Sequence, residues 1–136
     1  LLNSNLRGPY FLVQELLAEL RAAGGCVVNM VDIHAERPMP GHAVYNISKA
    51  GIAMMTRTLA QELGPDIRVN GVSPGAIIWP EAEMAADEKQ NILARTALGR
   101  VGDPSDIASA VAYLALDAPY VTGQVLAIDG GRSLNV

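Results

Sequence analysis

Cys26-Val27-Val28-Asn29-Met30-Val31 is a continuous, nearly apolar run, and its surroundings decide the fold. A strand with one wet face alternates polar and apolar residues. A strand buried on both faces does not, which is the habit of parallel sheets. On its amino side, Leu12, Leu16, Leu17 and Leu20 recur at helical spacing within Leu6–Ala23. Gly24-Gly25 ends that helix, and Pro9 marks a start or a kink. On its carboxyl side lies a loop, Asp32 to Gly41, punctuated by Pro38, Pro40 and Gly41. A second helix follows, Ala43 to Leu63, stopped by Gly64-Pro65.

The pattern then repeats. Ile67-Arg68-Val69-Asn70-Gly71-Val72 reads as a strand, broken by Ser73-Pro74-Gly75, with loop over Ala76 to Pro80. Glu81 to Arg95 is charged and helix-forming, suited to a flap. Asp103-Pro104-Ser105-Asp106 starts a helix that runs to about Leu116, with Asp103 as N-cap and Pro104 at the first helical position. Gln124 to Ile128 is a last strand before Asp129-Gly130-Gly131. Strands alternating with helices predict a parallel sheet, right-handed crossovers and one α/β domain over residues 1–136.

Composition sets the class. Of 136 residues, 50% are hydrophobic and 18% charged, so the chain can bury a core. Net charge is −4 with scattered basic residues, which argues against nucleic acid as a partner. The apolar stretch Ile107 to Leu116 is too short to span a bilayer, and no signal peptide is visible. A single cysteine, Cys26, fits a reducing cytoplasm. The first residues already read as helix, so a longer chain with residues upstream is expected.

Tyr45-Asn46-Ile47-Ser48-Lys49 carries the chemistry. Tyrosine and lysine at i and i+4 share one helix face. A phenol has an ordinary pKa near ~10 and is a poor proton shuttle at neutral pH. A neighbouring ammonium favours the phenolate and lowers that value. So tuned, Tyr45 can release a proton as hydride arrives from a cofactor.

This pair opens a helix after a parallel strand. Asn5-Leu6-Arg7-Gly8-Pro9-Tyr10-Phe11 precedes it; Asn70-Gly71-Val72-Ser73-Pro74-Gly75, Val121-Thr122-Gly123-Gln124 and Asp129-Gly130-Gly131 follow. In that order these segments resemble the short-chain dehydrogenase/reductase family. The resemblance implies a Rossmann-like, doubly wound parallel sheet, of which this chain supplies the later strands and helices. It implies Tyr45 as proton donor and Lys49 as ligand of the nicotinamide ribose. Asn5 would hold a water in the proton relay. Pro74 and Gly75 would wall the nicotinamide, with main-chain groups of Ile77 on its carboxamide, and Met30 would also contact the cofactor. Asn29 would brace the sheet. A homotetramer is implied as well. The glycine-rich turn that cradles the cofactor pyrophosphate is not among these residues; in the family it lies upstream.

One position departs from the family. Most members carry a serine thirteen residues before the tyrosine; here that residue is Asp32. The aspartate in Asn29-Met30-Val31-Asp32, the opening around Ser4-Asn5-Leu6-Arg7 and the close around Asp129-Gly130-Gly131-Arg132 resemble the pteridine reductase branch. That branch implies NADPH, with NADH left open, and a pterin substrate held by Asp32 and Tyr45. Trp79 could stack on a flat ring or pack in the core. A carboxylate grips ring N–H and amino groups more strongly than a hydroxyl does. Asp32 could instead simply cap its loop. His34, Glu36 and His42 match no compact metal motif and read as a solvated loop. Two alternatives stand beside pterin reduction: a short-chain reductase of 3-oxoacyl or sugar carbonyls, and a non-catalytic assembly piece.

Overall fold

The computed structural model describes residues 1–77 and 84–135. In chain order its elements are α1 (Gly8–Glu15), α2 (Leu17–Ala23), β1 (Cys26–Met30), α3 (Ala43–Leu63), β2 (Arg68–Pro74), α4 (Ala86–Ala94), α5 (Pro104–Ala112) and β3 (Val125–Ile128). The single amino-terminal helix expected over Leu6–Ala23 is two. The backbone leaves helical geometry at Leu16, and a wide π turn, Asn3–Arg7, runs directly into α1. Pro9 is the second residue of α1, directly after the wide turn that precedes it. Gly24 closes α2 in the left-handed conformation at φ +59°.

The strands form one parallel sheet in the order β1-β2-β3. Neighbouring residues of each strand face opposite layers. Val27, Val31, Val69 and Val125 pack with Ile52, Leu59 and Leu63 of α3. Val28, Val72 and Ile128 pack with Ile107, Ala110 and Leu114 from α5 and the turn after it. The sheet is thus covered on both faces, which is why its strands read as unbroken apolar runs.

This layering corrects one expectation. Both crossovers step to the next strand in the same direction, yet α3 covers one face and α5 the other. The two connections therefore have opposite hands, and only one can be right-handed. The handedness rule rests on a strand feeding a helix that packs straight back. The path from β2 to β3 detours through α4 first.

A second correction concerns Ser73 and Pro74, which extend β2 instead of breaking it. Gly71 and Gly75 donate their N–H groups to Gln124 and Ile128, so odd-numbered donors of β2 face β3. The donor that Pro74 lacks would face β1, whose pairing ended at Met30 opposite Val72. No ladder bond is lost. Buried Asn70 ties the sheet to the turn before β3: its Nδ2 donates to Val121 O at 2.8 Å, and its Oδ1 accepts from Gln124 N at 3.0 Å. Asn29 donates to Thr56 Oγ1 at 2.9 Å, bracing β1 on α3. Asp103 and Asp106 cap α5 reciprocally.

The carboxyl ends of β2 and β3 meet at Gly75. A Cβ there would lie 2.7 Å from Asp129 Cβ and 2.8 Å from its Cα. Gly75→Ala is expected to cost about 1–3 kcal/mol through forced overpacking. Urea denaturation should show a lower midpoint at unchanged slope.

Candidate active site

Ligands of parallel α/β sheets bind beyond the carboxyl ends of the strands. Here the end of β1 delivers Asp32 in an extended conformation. Asp32 Oδ1 accepts the His34 N–H at 2.8 Å and so caps the short 3₁₀ turn Ile33–Ala35. Asp32 Oδ2 accepts from Tyr45 Oη at 2.7 Å. Asp32 thus caps its loop with one carboxylate oxygen and contacts Tyr45 with the other. The loop that brings Tyr45 back is pinned by Asn46, whose Nδ2 donates to Met39 O at 2.9 Å and whose Oδ1 accepts from Met39 N at 3.3 Å.

Lys49 lies one turn after Tyr45. Its Nζ donates to Met30 O at 3.2 Å and Val31 O at 3.3 Å, and sits 5.7 Å from the Tyr45 ring centroid. The expected lowering of the Tyr45 pKa is not found. Burial pushes the phenol well above its ordinary value, and the hydrogen bond to Asp32 and the carboxylate's charge push it further. Two main-chain carbonyls hold the ammonium, while the carboxylate touches the hydroxyl directly.

Asn5 is turned toward this helix without touching either reactive group. Its Nδ2 donates to Ser48 Oγ at 3.1 Å, and Ser48 Oγ donates to Tyr45 O at 2.7 Å. One strand away, Pro74 is the last residue of β2, and Gly75 and Ile77 follow it. The Ile77 side chain packs into the α5-side core and crowds Gly102. It also lines a cavity of about 430 Å³ with Leu98, Arg100 and Gly130. Met30 is half-exposed at the end of β1. Trp79 lies outside the described residues, as do residues 81–83 of the expected flap, which is helical from Ala86 to Ala94. His34 Nδ1 pairs with Arg37 O at 2.8 Å and His42 Nδ1 with Pro40 O at 2.9 Å. Among the described residues, no group of three potential ligand side chains could hold a metal, and no helix is long and apolar enough to cross a membrane.

Sequence reading missed three participants. Asn46 and Ser48 lie inside the motif it quoted, and a helical wheel places Ser48 beside Tyr45. Ser133 shares with Asp32 and Ser73 a cavity of about 50 Å³, an adjacency over a hundred residues of chain that no local signal announces.

The family model described as Enoyl-(Acyl carrier protein) reductase matches residues 1–133. The 3-oxoacyl-[acyl-carrier-protein] reductase FabG of Thermotoga maritima is 40% identical over 134 residues, covering 96% of this chain and 54% of that protein. The chain belongs to the short-chain dehydrogenase/reductase family. Carbonyl reductase family member 4 of Danio rerio is 38% identical over 98% of this chain and 55% of its own length. Among solved structures, a 4-hydroxyisoleucine dehydrogenase mutant complexed with NADH and succinate superimposes with TM-score 0.91 at 30% identity, covering 98% of this chain and 58% of that one. A short-chain dehydrogenase from Leptospira borgpetersenii with bound NAD⁺ gives TM-score 0.84 at 37% identity, over 95% and 53%. This short-chain dehydrogenase/reductase chain spans about half the length of the curated relatives it matches.

The donor set of this short-chain dehydrogenase/reductase chain fits a nicotinamide ribose. Lys49 has three N–H bonds and gives two of them to Met30 and Val31, leaving one for a sugar hydroxyl. The raised phenol pKa has a stability consequence. The folded state holds the Tyr45 proton more tightly than the unfolded chain, so its contribution is complete below the ordinary phenol value of ~10. It is lost as pH rises above that value toward the folded one. Asp32→Asn removes the carboxylate's charge and should move the Tyr45 titration down, leaving it above the ordinary value because burial remains. Carbon-13 NMR of ζ-labelled tyrosine measures both.

Proposed function

We propose that this chain contributes the reaction centre of a nicotinamide-dependent reductase acting on a pterin ring of the dihydrobiopterin, dihydromonapterin or dihydrofolate type, with NADPH as the reductant. The 2.7 Å hydrogen bond from Tyr45 to Asp32 carries this reading. Asp32 accepts the phenolic proton's hydrogen bond, and after burial that bond and the carboxylate's charge are what raise the Tyr45 pKa. A substrate must therefore relieve Asp32 before Tyr45 can act. A pterin brings ring N–H and amino donors that take over the carboxylate and offset its charge. A simple ketone brings none.

The bound nicotinamide would supply a hydride to the ring carbon of a C=N bond. The π pair of that bond moves to nitrogen, which takes the proton from Tyr45 Oη. Carbon and nitrogen are reduced together, the nicotinamide is oxidised, and solvent restores the phenolic proton. Lys49 offsets the transient phenolate and binds the ribose.

The names of the relatives support a second reading, reduction of a 3-oxoacyl or similar carbonyl. NADPH and NADH oxidation by the purified full-length protein separates the two. Turnover of a dihydropterin is expected, with NADPH preferred, and Asp32→Ser and Tyr45→Phe should each reduce it by about 10²-fold or more. Turnover of an acetoacetyl thioester, increased by Asp32→Ser, with no dihydropterin turnover, would establish the carbonyl reading.

We also propose a homotetramer that uses the α1/α3 face. Tyr10, Phe11 and Met54 are 45–58% exposed there and border an apolar groove with Leu2 and Leu6. Singly exposed apolar side chains are ordinary, but a contiguous patch marks an interface. Met54→Asp should shift sedimentation velocity to a smaller species.

A further inference from the structure

Ser48 occupies a place that the reading of Tyr45 and Lys49 leaves unexplained. It is 0% exposed, although it stands in the first turns of α3 between two reactive side chains. Both functions of its hydroxyl are used. The proton goes to Tyr45 O at 2.7 Å, and the oxygen accepts from Asn5 Nδ2 at 3.1 Å. In an α-helix the carbonyl of residue 45 accepts from the N–H of residue 49, so Ser48 bonds the same oxygen that links the two reactive residues along the helix. Serine bonding back along a helix is common and bends it slightly. What is particular here is the long-range clamp on the same oxygen.

The clamp depends on two local features. The wide turn Asn3–Arg7 replaces ordinary α-geometry, with Gly8 N–H bonding back to Asn3 O. Opposite it, the Leu6 side chain of that turn packs on Gly51 of α3. A Cβ at Gly51 would lie 2.9 Å from Leu6 Cδ2. Asn5 reaches neither the phenol nor the ammonium with its side chain, and the direct hydrogen-bonded route from its amide to Tyr45 runs through Ser48.

We infer that Ser48 is a positioning residue: its buried hydroxyl couples the Asn5 turn to the main chain of Tyr45 and sets the phenol against Asp32. The effect on turnover rests on the reductase reading. The effect on the phenol does not, because it can be measured with no substrate present.

The test compares Ser48→Ala, Asn5→Ala and the double variant in the full-length protein. Ser109→Ala serves as control, since Ser109 makes the same kind of backbone bond in α5 but is exposed. Ser48→Ala should lower the Tyr45 titration, read by ζ-carbon NMR without substrate, by about half a pH unit or more as the phenol moves off Asp32. With the substrate found in the turnover screen, kcat should fall about tenfold, with KM for substrate and nicotinamide within twofold. Adding Asn5→Ala should lower kcat by less than a further twofold, because both changes break one clamp. Ser109→Ala should leave each readout unchanged. An unmoved phenol titration overturns the inference whatever substrate the enzyme proves to use. So does a loss confined to KM or melting temperature, or independent losses that multiply. Failure of dihydropterin turnover with an intact titration shift leaves Ser48 standing and removes only the substrate.

Discussion

A single proton lies between Tyr45 Oη and Asp32 Oδ2, 2.7 Å apart, and the surrounding architecture serves to hold those two atoms together. Asp32 hangs from the end of β1, Tyr45 opens α3, and the loop between them must return the chain to within hydrogen-bond reach. The His34 N–H orients one carboxylate oxygen and thereby aims the other. The Asn46 amide ties the middle of the loop to the start of the helix. A charge-assisted hydrogen bond is short and directional, so small errors in either element weaken it. That sensitivity explains why so many part-buried polar contacts gather around one turn of α3.

The sheet provides the rigidity. β2 is central and buried, with Val69 and Val72 anchoring opposite layers. Asn29 and Asn70 lock its neighbours with side-chain hydrogen bonds that an apolar residue could not make. Close approach at Gly75 brings the turn after β3 against the end of β2. Asp129 then organises the following turn by accepting from Gly131 and Ser133; burial pushes its carboxyl up, and the hydrogen bonds together outweigh that and hold it below the usual carboxylate range. Ser133 is thereby placed at the cavity that Asp32 and Ser73 line.

An aspartate at position 32 differs from a hydroxyl in its hydrogen-bond chemistry. A serine could donate to a carbonyl oxygen. A carboxylate can only accept, and in the free protein it accepts from the acid itself. On the proposed pterin reading, a ligand displaces Tyr45 from Asp32 by bringing hydrogen-bond donors of its own.

Much of this was legible in the residues themselves. The limits of α3 follow from Gly41, Gly64 and Pro65 together with helical spacing, and the parallel sheet follows from unbroken apolar strands. The pairing of position 45 with 49, and the oddity of Asp32, are also local facts. Other features depend on contacts between distant segments. Pro74 could stay in β2 only because β1 ends before it. The opposite hands of the two crossovers became visible only once each helix had chosen a face. Spacing along a helix predicts an ammonium near Tyr45, but the direction of its pKa depends on which charge arrives closest and how far water is excluded. Folding placed the carboxylate in contact and gave the ammonium to two carbonyls. One-dimensional pattern reports what short-range geometry dictates; proximity and burial are properties of the packed chain, and they decided the electrostatics of this site.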